Sequence, residues 1–425
     1  MTNPRNYFRE GKFCPEILAS EIARENDFLY KPTSGFYEYQ SLGVWVKIDK
    51  EVIKRIIDRK LCVESNKSRI ANVLDLISTK TYVEGELNEN RRVLNLKNGM
   101  LDLSSYELLP HDKKYLSTIQ LDANYQPDAR CPLWLKFLDE VLEENEDLIN
   151  IVQEFFGYCL IADTRFEKLL ILVGEGSNGK STLIAVLINL INSENISTVS
   201  LSGLENQFHR AFLHQKLVNI STEFEISGIL TSGYIKSIVS GDPIDAAFKF
   251  KDVFSFSPFV RIVAAMNDLP KVSDRTFGFY RRLLIIPFNR RFGEGGEQKA
   301  DKKLKHKLFE ELDGILLWAL EGLKRLENND SFTESAKVTK LIKEYRKSNN
   351  PVEIFVEEQC EVKADAEIGK AILYYKFDLF STNSGHKKMN EVVFAKELRR
   401  LIPNISDMRP NKGKRLWVGI ALINN

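Results

Sequence analysis

Cysteine is scarce and scattered in this chain. Cys14, Cys62, Cys131, Cys159 and Cys360 are five in 425 residues, an odd number with no C-x-x-C spacing. That excludes a disulfide framework and a cysteine-based zinc site, and it fits a reducing compartment. A charge excess is missing too: 60 Lys and Arg against 59 Asp and Glu leave a net +1. Contact with a polyanion must therefore come from local basic clusters and not from a global field. No stretch approaches the ~20 uninterrupted apolar residues of a membrane span. The start, Met1-Thr2-Asn3-Pro4-Arg5, opens no apolar core of signal-peptide type. There is no internal repeat and no low-complexity run. The expectation is a soluble, cytoplasmic protein, long enough for about two to four domains.

What is present is concentrated at one place. Leu169–Val173 is a run of five apolar residues that reads as a buried strand. Gly174-Glu175-Gly176-Ser177-Asn178-Gly179-Lys180-Ser181 then fits G-x-x-x-x-G-K-[ST], and Thr182 leads into an apolar, helix-length run over 183–191. At ordinary residue frequencies, with Gly near ~7%, these fixed positions match by chance in roughly 1–2% of chains this long. Strand, glycine loop and helix are the context that a phosphate cradle requires. The glycines let N–H groups turn onto phosphate oxygens, and the helix N-terminus adds its positive dipole end. Lys180 would reach the β- and γ-phosphates, and Ser181 would ligate Mg²⁺. The expected ligand is a nucleoside triphosphate.

The stretches that follow narrow the chemistry. Residues 216–225 form a short apolar strand ending in acids, where Glu223, with Glu225 second, would hold Mg²⁺ through water and polarise the attacking water. Strand alternation puts both on one side. Residues 259–268 read as a third strand ending in Asn267, an uncharged group suited to the γ-phosphate or the lytic water. Arg281 and Arg282 open a further strand, where a guanidinium offered to a neighbouring subunit would neutralise transition-state charge. Between the second and third strands, Phe248-Lys249-Phe250-Lys251 alternates aromatic and basic residues. This suits a hairpin with Lys249 and Lys251 on one face for phosphates and the phenylalanines packed or stacking on the other.

Around this core, residues 1–34 are polar with an amphipathic segment over 17–29, and residues 35–49 read as a hairpin about Gly43. Residues 51–76 carry helical periodicity, and Asn98-Gly99 marks a turn between strands over 93–103. The expected domains are an N-terminal α/β domain over 1–130, a helical collar over 131–162, an α/β core over 163–295, a helical lid over 296–348 and a last segment over 349–425. In that segment, helices over 367–380 and 390–401 precede strands over 405–408 and 416–420. The strands are joined by a basic turn with Lys412, Lys414 and Arg415. Two helices and a basic ribbon are the order of a winged helix.

The order G-E-G-S-N-G-K-S-T, S-T-E-F-E, K-S-I-V-S-G-D-P-I with F-K-F-K, A-A-M-N-D-L-P and Y-R-R-L-L-I-I-P-F resembles the superfamily 3 helicases, more narrowly the phage, plasmid and poxvirus-type primase-helicases. Residues 94–103 and 155–160 look like the domain that precedes the helicase in that family. The resemblance implies an AAA+-type P-loop ATPase acting as a ring, a homo-oligomer and by expectation a hexamer, that uses ATP and Mg²⁺ to move 3′-to-5′ on single-stranded DNA and open forked DNA. It assigns Lys180 and Ser181 to the P-loop, Glu223 or Glu225 to the acidic motif, Asn267 to the sensor strand, Arg281 or Arg282 to the arginine finger with Arg282 slightly preferred, and Lys249 with Lys251 to the pore hairpin. About 35 residues precede the recognisable region, too few for the family's primase, so a separate primase or loader is the expected partner. Two rival readings are an origin-binding initiator that uses ATP without unwinding, and a P-loop kinase.

Overall fold

A computed structural model of the chain describes residues 3–222, 230–272, 274, 276–293, 301, 303–384, 388–409 and 415–423. Its centre is a five-stranded parallel sheet. The strands are β1 (Leu169–Val173), β2 (Ile196–Ser197), β3 (Val218–Thr222), β4 (Arg261–Met266) and β5 (Leu283–Pro287), in the spatial order β2-β3-β4-β1-β5. Continuous apolar runs make these strands because both sheet faces are covered, so neither needs polar residues. Leu170 and Leu172 of β1 face one cluster with Val218, Ile220, Leu284 and Ile286. Leu169 and Ile171 point the other way, into a cluster with Ile262, Ala264, Leu283 and Ile285.

Helices α1 (Pro132–Val141), α2 (Glu146–Leu160) and α3 (Lys180–Ile191) lie in the first cluster with α5 (Leu312–Asn329). The short helix α4 (Gly233–Ser240) covers the second face, together with Tyr345 of α6 (Ala336–Ser348). The tightest helix contact is α2 against α5. A Cβ on Gly157 would overlap the Ala319 carbonyl oxygen, and one on Gly322 would overlap that of Gln153. Glu154 of α2 is fully buried there, but Arg325 Nε donates to it at 2.7 Å and Thr333 Oγ1 at 2.6 Å. A buried carboxylate with two such donors is satisfied. The strands Val93–Leu96 and Gly99–Asp102, antiparallel about Asn98-Gly99, also enter the first cluster. Apolar packing is thus continuous across residue 130.

Upstream, the amphipathic stretch is the helix Pro15–Glu25, and the Gly43 hairpin pairs Gly35–Tyr39 with Trp45–Ile48. The helical stretch that follows is two helices, Lys50–Leu61 and Lys67–Lys80, broken where Cys62 takes φ +49° and Asn66 caps the second. Downstream come α7 (Pro351–Gln359), α8 (Lys370–Asn383) and α9 (Glu391–Leu401). Ser406–Met408 and Leu416–Val418 pair as expected. A third strand, Glu367–Gly369, precedes α8 where the sequence pattern reads helix, and it pairs with Leu416–Val418. Its three residues are too few to show an alternation.

Candidate functional site

Parallel strands bring all their C-terminal ends to one sheet edge, and the predicted loop lies there. Gly174 follows β1, and a Cβ on it would overlap the Phe288 carbonyl oxygen just after β5. Gly179 takes φ +97° at the N-cap of α3, a conformation glycine adopts without penalty. Asn178 Nδ2 donates to the same Phe288 carbonyl at 3.1 Å, and Phe292 N donates to Ser177 O at 2.7 Å. The loop is therefore pinned to the end of β5 at both of these residues.

Lys180 is only 6% exposed and has no carboxylate partner among the described residues. Its ammonium donates to the carbonyls of Gly174 and Glu175 and to Asn178 Oδ1 at 3.2 Å. Every acceptor is neutral, so burial pushes the Lys180 pKa down. Beside the loop, Gly174 N donates to Met266 O at 3.3 Å, which sets Asn267 next to Gly174. The Asn267 Oδ1 is buried without a partner. An unpaired buried polar atom beside an uncompensated buried cation is the chemistry of a site that accepts an anion with its bound water. Ser181 is exposed at the first turn of α3, and Glu175, Gly176 and Ser177 line the open side of the loop, with Thr182 behind. Thr222, at the end of β3, pairs with Ala265 beside this edge. Glu223 and Glu225 lie outside the described residues, as do Lys412 and Lys414. Arg415 is described and exposed.

Arg281 and Arg282 sit at the opposite sheet edge, just before β5. Five strand residues at ~3.3 Å rise separate the edges by about 16 Å, beyond the reach of an arginine side chain. The two differ. Arg282 is 12% exposed in its side chain, lies 3.0 Å from Glu167 and donates to Ser240 Oγ at 2.7 Å and to the Gly278 carbonyl. Arg281 is 43% exposed in its side chain and pairs with Glu167 alone. Sequence order cannot separate adjacent arginines, because their partners Glu167 and Ser240 are remote in the chain.

The hairpin is present as Ile244–Ala247 paired with Val253–Phe256. Its tip corrects the alternating-face reading. Lys251 N donates to Phe248 O at 3.0 Å, so residues 248–251 form a turn and not strand. Phe248 stacks on Phe254 with centroids 5.5 Å apart, and His214 meets Phe254 and Phe256 edge-on. Phe250 instead stands exposed at the apex beside Lys249, and Lys251 Nζ lies 5.7 Å from the Phe248 ring centroid. A cation the sequence reading missed joins them: Lys47, on the strand Trp45–Ile48. Its pKa is held down by burial and by the Lys251 ammonium. Nothing in the local pattern around Lys47 signals that proximity.

In the C-terminal part, Trp417 is flanked by Lys370 Nζ at 4.1 Å and Arg399 Cζ at 5.0 Å from its ring centroid, and both cations bind Asp407. The exposed side of α9 carries Val392 and Val393. Among the described residues no helix is long and apolar enough to cross a membrane, and no group of three His, Cys, Asp or Glu could hold a metal.

Two family models match the chain: D5 N terminal like over residues 15–143, and a family of unknown function, DUF5906, over residues 172–282. The second match contains the glycine loop, the hairpin, Asn267 and both arginines. The chain is similar to "Putative helicase L207/L206" of Acanthamoeba polyphaga mimivirus, 25% identical over 240 residues, 52% of this chain and 24% of that protein. It is also similar to "Putative helicase 184R" of Invertebrate iridescent virus 6, 24% identical over 360 residues, 74% of this chain and 37% of that protein. The chain thus spans between about a quarter and just over a third of the length of these relatives. Among solved structures, the A form apo structure of the NrS-1 C-terminal region matches with a TM-score of 0.55 at 11% identity, covering 96% of this chain and 99% of that one. A further apo structure of that region gives 0.54 at 13% identity, with 96% and 99% covered. At such identity the likeness shows a shared mixed α/β fold.

Proposed function

We propose that this chain, a member of the phage and viral primase-helicase family, is an ATP-driven motor that moves along single-stranded DNA and opens forked DNA. In this reading the sheet and its loop are an AAA+ P-loop core of superfamily 3 type, and 349–425 is a winged-helix-like domain. The order strand, helix, helix, strand, strand supports the latter.

The observation that carries the reading is the separation of the loop edge from the arginine edge. A guanidinium about 16 Å from its own chain's loop contributes to hydrolysis only when a neighbouring copy presents it. A ring, a hexamer in this family, provides that arrangement at every interface. Lys180, with the N–H groups of the glycine loop, binds and orients the phosphates. Asn267 orients the attacking water, and Glu223 or Glu225 takes its proton. Ser181 with Glu223 would hold Mg²⁺, which would supply charge neutralisation at the phosphate oxygens. Between Arg281 and Arg282, the exposed Arg281 suits the finger, because Arg282 is already held by three partners. Successive hydrolysis around the ring would carry the Lys249/Lys251 hairpins 3′-to-5′ along one strand, with a separate primase or loader as partner.

Strand displacement on a forked duplex tests this directly. ATP-dependent release of the labelled strand is expected. Hydrolysis stimulated by DNA with no displacement would favour an initiator over a helicase.

A further inference from the structure

The hairpin apex spends local stability without gaining burial. Phe250 takes φ +64° at the third position of the turn closed by Lys251 N and Phe248 O. Glycine or asparagine occupies such a position at little cost, and a bulky aromatic does not. Nothing in the packing offsets that cost. Phe248, Phe254, Phe256 and His214 build the aromatic pile at the base of the hairpin, while the Phe250 ring is fully exposed. Strained backbone at an exposed, uncompensated side chain points to function.

The surroundings narrow that function. Lys249 and Lys251 form no ion pair among the described residues, and Lys47 stands close enough to feel the Lys251 charge. Lys47, Lys249 and Lys251 outnumber the adjacent carboxylate, Asp252, which suits phosphates, and an exposed ring among them suits a flat, unpaired partner. A duplex offers phosphates but keeps its base faces stacked. Single-stranded DNA offers both.

We propose that Phe250 stacks on an unpaired base while Lys249 and Lys251 hold the flanking phosphates. The ring then grips a base face of any sequence, and the lysines alone would grip only the backbone. This rests on the reading of the hairpin as the DNA-gripping element.

The full chain carrying Phe250→Trp would be titrated with oligothymidylate and with an abasic oligomer of the same length. Emission would be compared with the unsubstituted chain, whose four tryptophans set the background. The introduced indole should be quenched by oligothymidylate and not by the abasic strand, although both strands bind. In parallel, Phe250→Asn, which suits the turn, should weaken oligothymidylate binding about 5- to 100-fold and leave abasic binding unchanged. Equal quenching by both strands, or oligothymidylate binding with no change in indole emission, would overturn the stacking role. If neither strand bound the unsubstituted chain, the DNA reading itself would fail and the stacking role with it.

Discussion

The two edges of the central sheet are built from the same strands and differ in electrostatic satisfaction. At the C-terminal edge, Lys180 is buried among carbonyls and Asn267 Oδ1 has no partner. At the N-terminal edge, Arg282 is fixed by Glu167, Ser240 and the Gly278 carbonyl, and Arg281 shares Glu167 at the surface. One edge is organised around charge that a ligand must bring. The other holds its cations ready with internal partners. Function therefore costs stability at the first edge; at the second, burial and the Arg281 charge push the Arg282 pKa down against Glu167, so its internal partners offset a burial cost while Arg281 presents a charge outward.

The largest effect expected from breaking this contrast is on catalysis. Lys180→Met should lower ATP hydrolysis by about 10²–10³-fold, as when a preorganised donor to developing charge is removed, and Asn267→Ala, which removes an acceptor for the attacking water, by a smaller factor. The same lysine variant should melt no lower than the parent. Burial depresses the Lys180 pKa below the 10.5 of a free lysine, so the folded chain holds this proton less firmly than the unfolded one. The charged side chain therefore costs stability at neutral pH, a cost that fades only as pH climbs toward 10.5. A thermal melt checks it, and a drop of several degrees for Lys180→Met would contradict the contrast. At the other edge burial also pushes the Arg282 pKa down, but an ion pair and hydrogen bonds offset that cost. Arg282→Ala takes its donor from Ser240 Oγ, while Glu167 keeps Arg281, and should cost about 1–3 kcal/mol, read as a lowered melting temperature. Arg281→Ala, at an exposed ion pair, should cost under ~1 kcal/mol.

Much of the loop edge was legible because its information is local. Five apolar residues specify a strand buried on both faces, Gly174 and Gly179 specify the backbone between strand and helix, and Lys180 and Ser181 follow at fixed offsets. Asn98-Gly99 and Gly43 marked their turns for the same reason. What could not be read depended on remote partners or on register. The FKFK alternation suggested two strand faces, but pairing of Ala247 with Val253 forces residues 248–251 into a turn and lifts Phe250 to its apex. The different fates of Arg281 and Arg282 are set by Glu167 and Ser240, and Lys47 reaches the hairpin only through the fold. Glu367–Gly369 was read as helix because it runs directly into the apolar pattern of α8.

The most direct test mixes two inactive chains. Lys180→Ala and Arg281→Ala each remove one half of the proposed shared site, and each alone should show little hydrolysis. In a randomly mixed ring at equal amounts, about a quarter of the interfaces join an intact loop to an intact arginine. DNA-stimulated ATP hydrolysis should then rise well above the average of the two separate variants. If the mixture gives only that average, although the variants assemble into mixed rings and the Arg281→Ala chain binds nucleotide, the two edges do not meet between subunits and the shared site is wrong.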